Sequence, residues 1–254
     1  METLDRPDTR IAFAVAGEGP TVLLSHGFCA TSAMFAGNLP ALSRDHRVVT
    51  WDLRGHGASD SPGDPAAYTA DGSVADMLAL LDHLDAATAV VGGHSLGGFL
   101  SLRFVLAHPD RVRGLVLIDT GPGFRNAAAR DDWNRFAETY ATSLEENGLD
   151  GLPAGDELHA DAHRDAGGLV RAARGILVQH DSAVIDGLSS IAVPTLVIVG
   201  SEDKGFIAGS EHMAAKIPDA RLVVVDGAGH APNVTHRAEF DDAVLGFLDS
   251  LPAR

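Results

Sequence analysis

The chain lacks the features that would place it in an oxidising or membrane environment. Cys29 is its single cysteine, so no disulfide can form within the chain. No apolar run approaches the roughly 20 residues that a membrane-spanning helix needs. Residues 1–10 are charged and have no apolar stretch of the kind found in secretory signal peptides. These absences favour a cytoplasmic protein with no membrane partner.

Basic residues are also scarce. Lysine and arginine together number 19 against 35 aspartates and glutamates, which gives a formal net charge of −16 at pH 7. Such an acidic surface repels the phosphates of nucleic acids and of anionic lipids. The histidines lack helix-borne metal spacing, and no glycine-rich dinucleotide motif or phosphate-binding lysine loop occurs. We therefore expect no nucleic-acid partner, no metal and no cofactor, but a small-molecule substrate bound by a monomer or homodimer.

Short apolar segments typical of strands alternate with helical patterns along most of the chain. A length of 254 residues with 45% hydrophobic residues suits one α/β domain. The later segments are nearly continuous apolar runs, as in parallel strands that are covered on both faces. Strands are predicted at 11–15, 21–24, 47–51, 89–91, 112–118, 194–199 and 221–225. This alternation predicts a doubly wound sheet whose ligands bind beyond the carboxyl ends of the strands.

One region interrupts the alternation. Residues 121–187 contain no convincing strand, but they contain two amphipathic helical faces, at 133–144 and at 169–177. The interruption follows the end of a predicted strand, at the edge where ligands would bind. We therefore predict a core made of residues 1–120 and 188–254, with residues 121–187 inserted as a small helical lid.

The segment Gly93–Gly97 reads Gly-His-Ser-Leu-Gly and joins a predicted strand to a predicted helix. This spacing is typical of a nucleophile elbow, in which glycines let the strand and the helix pass closely. The Ser95 hydroxyl would then project alone into a cleft, and the N–H of Leu96 would point to the place where an oxyanion forms. A glycine-rich turn with a chance serine is the alternative.

A serine nucleophile needs a base, and the base needs an orienting acid. In folds with an elbow, the acid and then the histidine follow the serine along the chain. His230 lies in a glycine-rich loop after the last predicted strand and is the candidate base. Asp203 follows the strand at 194–199 and is the candidate acid, with Glu202 and Asp119 as alternatives.

Other reactive side chains near strand ends are expected to be structural. The ring of His94, inside the elbow, should point away from the serine hydroxyl, and His26 and His56 belong to turns early in the chain. Cys29 is expected to be a small, inert apolar residue. The loop after the strand at 21–24 would supply the second oxyanion donor, the N–H of Phe28.

These motifs resemble those of the α/β-hydrolase superfamily, and the resemblance covers nearly the whole chain. Residues 26–28, His-Gly-Phe, are similar to the oxyanion loop of that family. Residues 52–59, Asp-Leu-Arg-Gly-His-Gly-Ala-Ser, are similar to its turn after the next strand, and residues 93–98 are similar to its elbow. Asp203 and His230 match the acid and histidine positions. The resemblance implies an eight-stranded, mostly parallel sheet flanked by helices, with a helical cap.

The leading hypothesis for function is a serine hydrolase that cleaves a small, largely apolar carboxylic ester or lactone through an acyl-enzyme. Serine at the nucleophile position disfavours the haloalkane dehalogenase and epoxide hydrolase branches, which use aspartate there. Substrate specificity would lie in the predicted lid, where the aromatic residues are candidates for the substrate pocket: Phe124, Trp133, Phe136 and Tyr140.

Two alternatives remain open at this point. The first is a carbon–carbon bond hydrolase or lyase of the same fold, which would need cationic groups to hold a carboxylate-bearing substrate. Arg125, Arg130 and Arg135 are the candidates, although a solvated helix face is the more common explanation of such residues. The second alternative is a small-molecule receptor built on a hydrolase scaffold, and a complete triad argues against it.

Overall fold

A computed structural model describes residues 1–252 of the chain, and eight strands in it form a single sheet. The strands are β1 Glu2–Asp5, β2 Arg10–Ala16, β3 Thr21–Ser25, β4 Arg47–Trp51, β5 Ala89–His94, β6 Val112–Ile118, β7 Thr195–Gly200 and β8 Ala220–Val225. Their spatial order is β1-β2-β4-β3-β5-β6-β7-β8. β2 pairs antiparallel with β1 and with β4, and every other neighbouring pair is parallel. The expected eight-stranded, mostly parallel sheet is confirmed.

Each of the seven predicted strands overlaps an observed one, and the sequence pattern missed only β1. That strand is a short, largely exposed edge strand in which Leu4 is the one aliphatic residue. Its pairing with β2, in which Leu4 lies opposite Ile11, holds it in place. Main-chain pairing at a sheet edge needs no apolar run, so the sequence carried little signal for it.

Nine α-helices flank or extend the sheet within residues 1–252. They are α1 Leu39–Leu42, α2 Ala70–His83, α3 Leu96–Ala107, α4 Ala127–Asn147, α5 Ala166–Ala172, α6 Ala183–Gly187, α7 Ile207–Lys216, α8 Pro232–Thr235 and α9 Arg237–Ser250. None of these helices combines the length and the apolar character that crossing a membrane requires.

The central strands bury both of their faces, which explains their continuous apolar runs. In β5, Val90 packs into one cluster with Phe240 and Val244 of α9, whereas Val91 packs into the opposite cluster with Leu100 of α3. Neighbouring residues of a strand point to opposite faces of a sheet, so both must be apolar when helices cover both sides. The sheet is therefore a rigid support for the loops at its carboxyl ends.

Residues 121–187 contain helices α4 to α6 and short helical turns, and no strand lies among them. A π-helical turn at Ala173–Leu177 continues α5 and lies against α4. The indole N–H of Trp133 donates to the Leu177 carbonyl at 2.8 Å, and Asn134 forms hydrogen bonds with both main-chain groups of Gln179. The division of this segment from the core as a lid stays a prediction.

Candidate active site

Ser95 occupies a sharp turn between β5 and α3. Its backbone has φ 50° and ψ −114°, a conformation that a residue with a side chain adopts only under strain. The turn brings the elbow against the end of β3, where a Cβ on Gly97 would lie 2.1 Å from the Ser25 carbonyl oxygen. A Cβ on Gly93 would lie 2.6 Å from the same oxygen. The two glycines are therefore required by close backbone approach, as the motif predicts.

The main chain of Ser95 is held on both sides. Its N–H donates to the Ile118 carbonyl at 2.9 Å, which ties the elbow to the end of β6. Its carbonyl accepts a hydrogen bond of 2.6 Å from the Thr120 hydroxyl and one of 3.1 Å from the Phe99 N–H. Thr120 thus braces the turn from the neighbouring strand end, a role that the sequence pattern did not indicate.

His230 and Asp203 form a hydrogen-bonded pair. Nδ1 of His230 lies 2.7 Å from Oδ2 of Asp203, and both side chains are largely shielded, at 33% and 12% exposure. The Glu202 N–H donates to the Ala228 carbonyl at 2.9 Å. This hydrogen bond joins the loop after β7 that carries Asp203 (the acid loop) to the loop after β8 that carries His230 (the histidine loop). With its Nδ1–H donated to Asp203, the imidazole presents Nε2 as its remaining acceptor. The side chain of Glu202 is exposed.

Asp119 is the second carboxyl group at this end of the sheet. It is fully buried, has φ 41°, and accepts a hydrogen bond of 2.9 Å from the Gly200 N–H through Oδ1. Burial, with the nearby charge of Asp203 as a further cause, raises the pKa of Asp119 to about 9. Asp119 is therefore neutral at pH 7, and Asp203 is the carboxylate that faces His230.

Asp119, Asp203 and His230 also place ligating atoms within 4.8 Å of one another, which is close enough to hold a metal ion. The donor set suits a hydrogen-bonded pair better. The Nδ1 of His230 carries a proton that it donates to Asp203, so it offers no lone pair to a cation. A carboxyl group held neutral by burial, as in Asp119, is also a poor ligand.

The two expected oxyanion donors converge on the same cavity. Phe28 follows β3 in a tight loop whose turn is closed by a hydrogen bond from the Ala30 N–H to the Gly27 carbonyl at 3.1 Å. Leu96 is the first residue of α3, where helix geometry leaves the N–H without a partner inside the helix. Neither N–H donates to another of the described residues, and both residues line the cavity beside Ser95.

A cavity of about 820 Å³ opens onto Ser95, Asp203 and His230. All four aromatic residues predicted for the substrate pocket line it. Together with Phe28 they form a continuous series of ring contacts, with centroid distances of 5.8, 4.7, 5.4 and 6.2 Å along Phe28, Tyr140, Phe136, Trp133 and Phe124. We call these five residues the aromatic wall. Most of the wall lies on α4, whose residues at spacings of three and four share one face.

The walls of the cavity carry acidic but no basic side chains other than histidine. Asp132, Glu157 and Asp203 line it, whereas no lysine or arginine of residues 1–252 does. The three arginines considered for substrate carboxylates are engaged elsewhere. Arg125 pairs with Asp186, Arg130 donates to the main-chain carbonyls of Phe124 and Arg125, and Arg135 pairs with Asp132.

A family model described as alpha/beta hydrolase fold matches residues 20–164, which is more than half of the chain. The chain belongs to the α/β-hydrolase family. A relative in Pseudomonas savastanoi pv. phaseolicola, provisionally named carbamate hydrolase RutD, is 31% identical over 92% of this chain and 95% of its own length.

Two solved α/β-hydrolase structures show the same likeness. The enol-lactonase of Burkholderia xenovorans LB400 has a TM-score of 0.78 and 27% identity, over 98% of this chain and 100% of its own. A thermophilic esterase from Thermogutta terrifontis has a TM-score of 0.80 and 29% identity, over 97% of this chain and 96% of its own. The predicted membership of the family is confirmed.

Three buried histidines support the oxyanion loop of this α/β-hydrolase. The rings of His26, His56 and His163 contact one another in a row, tilted or edge to face, with centroid distances of 5.1 Å and 5.9 Å. In each of the three rings, both nitrogens form hydrogen bonds with the main chain. In His163, Nε2 donates to the Cys29 carbonyl at 2.9 Å, and Nδ1 accepts from the Gly57 N–H at 3.1 Å. Burial lowers the pKa of all three, that of His26 to about 3. They are neutral structural groups.

His94 and Cys29 are likewise buried. Nε2 of His94 donates to the main-chain carbonyl of His230 at 2.6 Å, so it fixes the histidine loop and does not touch the serine hydroxyl. Burial lowers the pKa of His94 well below its usual value. Burial raises the pKa of the Cys29 thiol, which keeps it protonated and inert although it lines the cavity.

Sequence reasoning missed several residues of the cavity. Phe206 stacks on His230 with centroids 4.8 Å apart, and Phe99 projects from α3 one turn after Ser95. The sequence could have indicated them by position alone, because Phe206 lies three residues after Asp203 and Phe99 lies four residues after Ser95. Glu157 and Gln179 come from irregular segments of residues 121–187, where no periodicity indicates which way a side chain faces.

Proposed function

We propose that this α/β-hydrolase is a serine hydrolase that cleaves a small, largely apolar carboxylic ester or lactone through an acyl-enzyme. One observation carries the proposal. A serine held in a strained elbow shares the wall of one cavity with a histidine whose Nδ1 lies 2.7 Å from a carboxylate. That arrangement supplies a nucleophile, a base and an orienting acid to any carbonyl bound between them.

In the proposed reaction, Oγ of Ser95 attacks the substrate carbonyl carbon and its proton passes to Nε2 of His230. Asp203 holds the imidazole in the required tautomer and stabilises the imidazolium. The N–H groups of Phe28 and Leu96 donate to the oxyanion. His230 then returns the proton to the leaving alkoxide as the tetrahedral intermediate collapses to the acyl-enzyme on Ser95. A water molecule, deprotonated by His230, attacks the acyl carbon, and His230 returns that proton to Oγ of Ser95 as the carboxylic acid is released.

The character of the cavity supports an apolar substrate. Aromatic and aliphatic side chains form most of its wall, and a volume of about 820 Å³ is typical of sites for small molecules. Phe124 and Phe136 line this cavity and are 36% and 46% exposed, so their rings are accessible to an apolar substrate. The enol-lactonase and the thermophilic esterase that are similar to this chain also fit this substrate class.

The rival carbon–carbon bond chemistry has less support. A substrate carboxylate would enter a cavity whose described lining holds Glu157 and Asp203 and no lysine or arginine. Burying such a charge without a cation is costly. Arg125, Arg130 and Arg135 do not line the cavity themselves, and each is already engaged by a carboxylate or main-chain carbonyl.

The decisive experiment compares the purified protein with its Ser95→Ala variant on p-nitrophenyl butyrate and on δ- and γ-lactones. We expect turnover by the wild-type protein and a loss of about 10⁴-fold or more in the variant. Mass spectrometry after treatment with a fluorophosphonate should show one adduct, on Ser95. Full turnover by Ser95→Ala would overturn the proposal. Tight ligand binding without turnover of any ester or lactone would favour the receptor alternative instead.

A further inference from the structure

Glu157 is the carboxylate of the cavity for which the described chain provides no partner. It is half-buried and lines the cavity, yet it makes no hydrogen bond or ion pair with any residue of 1–252. Asp132, the other acidic residue contributed by residues 121–187, is balanced by Arg135. Glu157 therefore leaves an uncompensated negative charge facing the bound substrate.

The field of Glu157 reaches both walls of the cavity. Its charge adds to burial in raising the pKa of Asp119, behind the acid loop, and that of Tyr140, on the aromatic wall. Glu157 lines the same cavity as Tyr140 of the aromatic wall and as Asp203 and His230. In a partly dehydrated cavity an unpaired charge at such a position acts strongly on any charged substituent of the substrate.

The aromatic wall offers a second kind of cation contact. Tyr140 meets Phe28 and Phe136 edge to face, at interplanar angles of 84°, so ring faces and ring edges alternate around this part of the cavity. The faces of such rings carry negative charge and attract ammonium groups. A cavity that is lined by an unpaired carboxylate and by aromatic rings, with no lysine or arginine in its described lining, favours a cation and disfavours an anion.

We propose that Glu157 determines substrate charge: the enzyme prefers esters whose apolar chain ends in an ammonium group and discriminates against esters that end in a carboxylate. The apolar chain packs along the aromatic wall, and the ammonium group lies beside Glu157. This inference rests on the proposed hydrolase function. It deepens that function by naming the polar end of an otherwise apolar substrate.

The test uses three p-nitrophenyl esters that share one chain length and differ in their terminal group. These are the 6-(trimethylammonio)hexanoate, its uncharged isostere 7,7-dimethyloctanoate and the pimelate monoester. We expect kcat/KM to fall from the cation to the neutral ester to the anion. In Glu157→Gln the cation-to-neutral ratio should fall about tenfold. Glu157→Asp, which keeps the charge, should retain most of the preference.

Asp131→Asn is the matched control, because it removes one negative charge from an exposed residue of α4 that does not line the cavity. We expect its cation-to-neutral ratio to stay within about twofold of wild type. Added salt should reduce the wild-type preference, since an electrostatic selection is screened. A wild-type preference for the neutral or anionic ester, or an unchanged ratio in Glu157→Gln, would overturn the inference.

A binding measurement separates this inference from the hydrolase proposal. Calorimetry on Ser95→Ala, which needs no turnover, compares hexyltrimethylammonium with heptanoate. We expect the cation to bind at least tenfold more tightly, and the Glu157→Gln change in the same background to remove most of that difference. If no ester is hydrolysed but this selectivity is present, the proposed reaction fails and the charge selection stands. If esters are hydrolysed without this selectivity, the charge selection fails and the proposed reaction stands.

Discussion

Asp119 and Asp203 lie side by side, with carboxyl oxygens within 4.8 Å of one another and of a ring nitrogen of His230. They follow two adjacent strands, β6 and β7, and the Asp119 carboxyl accepts the Gly200 N–H just before the loop that carries Asp203. Two like charges so close together and so buried cannot both be retained at neutral pH. Asp119 is the more deeply buried of the two and its pKa is raised, whereas Asp203 is the carboxyl group that contacts His230.

The first prediction separates the two carboxyl groups by activity. Asp203→Asn should lower kcat by about 10⁴-fold on p-nitrophenyl butyrate, because the amide favours the wrong tautomer of His230. Asp119→Asn should lower kcat by less than about tenfold, because an amide is uncharged like the protonated acid and its oxygen still accepts the Gly200 N–H. A severe defect in Asp119→Asn with a mild one in Asp203→Asn would reverse the assignment of the acid.

The second prediction concerns stability at alkaline pH. Because the pKa of Asp119 is raised to about 9 in the folded protein, the folded state holds a proton that the unfolded state releases at a much lower pH. Stability from this group is therefore fully present at acidic pH and is lost as the pH rises towards 9. Asp119→Asn should remove this slope, which is at most about 1.4 kcal/mol per pH unit. Urea unfolding of both proteins at pH 5, 7 and 8.5 measures it.

The third prediction concerns the buried histidines, whose contribution to stability should change with pH in the opposite direction to that of Asp119. The pKa of His26, of His56 and of His163 is lowered in the folded state, so below about pH 6.5 the unfolded chain binds more protons than the folded one. Stability is present above that pH and is lost as the pH falls. His163→Ala should cost about 1–3 kcal/mol at pH 8, because it leaves two buried main-chain groups unpaired.

The same variant should lose less further stability between pH 7 and pH 5 than the wild type, because one of the three histidine contributions is gone. His180→Ala is the matched control, since the His180 side chain is exposed. We expect this control to follow the wild-type curve in urea unfolding at every pH. An equal effect of the two substitutions would show that the buried cluster has no special role.

The fourth prediction concerns the elbow glycines. A Cβ on Gly97 would lie 2.1 Å from the Ser25 carbonyl oxygen and 2.7 Å from that of His26, both of them main-chain atoms. Gly97→Ala should therefore destabilise the fold by about 3 kcal/mol or more and displace the nucleophile. Gly246→Ala on α9, where no atom lies within 4 Å of the added Cβ, should stabilise it by about 0.5–1 kcal/mol. Thermal unfolding of the two variants compares them directly.

Several parts of this α/β-hydrolase could be predicted because short stretches of neighbouring residues in the sequence indicate them. In the elbow of Gly93–Gly97 the main chain passes too close to its neighbours for a Cβ, so the spacing of the glycines in the sequence indicates the turn directly. The positions of Asp203 and His230 followed from a general property of parallel sheets, whose carboxyl ends meet at one edge. The aromatic face of α4 followed from helical periodicity. Each of these rules depends on only a few neighbouring residues.

Other parts depend on distant contacts and left no local pattern. Asp119, Glu202 and Asp203 all carry carboxyl groups near strand ends, and only the folded structure shows that Asp119 is buried and that Asp203 contacts His230. His163 contacts the oxyanion loop from more than a hundred residues away in the sequence. β1 is held by main-chain pairing with β2, and its side chains show no pattern that would predict this pairing.

The amino-acid sequence by itself determined the fold class and the elbow that presents Ser95, because strand and helix periodicity and backbone sterics are local properties. Only the tertiary structure decided which carboxyl group carries the proton, which charges face the cavity and where Arg125, Arg130 and Arg135 find their partners. Those outcomes depend on burial and on electrostatic fields, which arise only when segments far apart in the chain pack together.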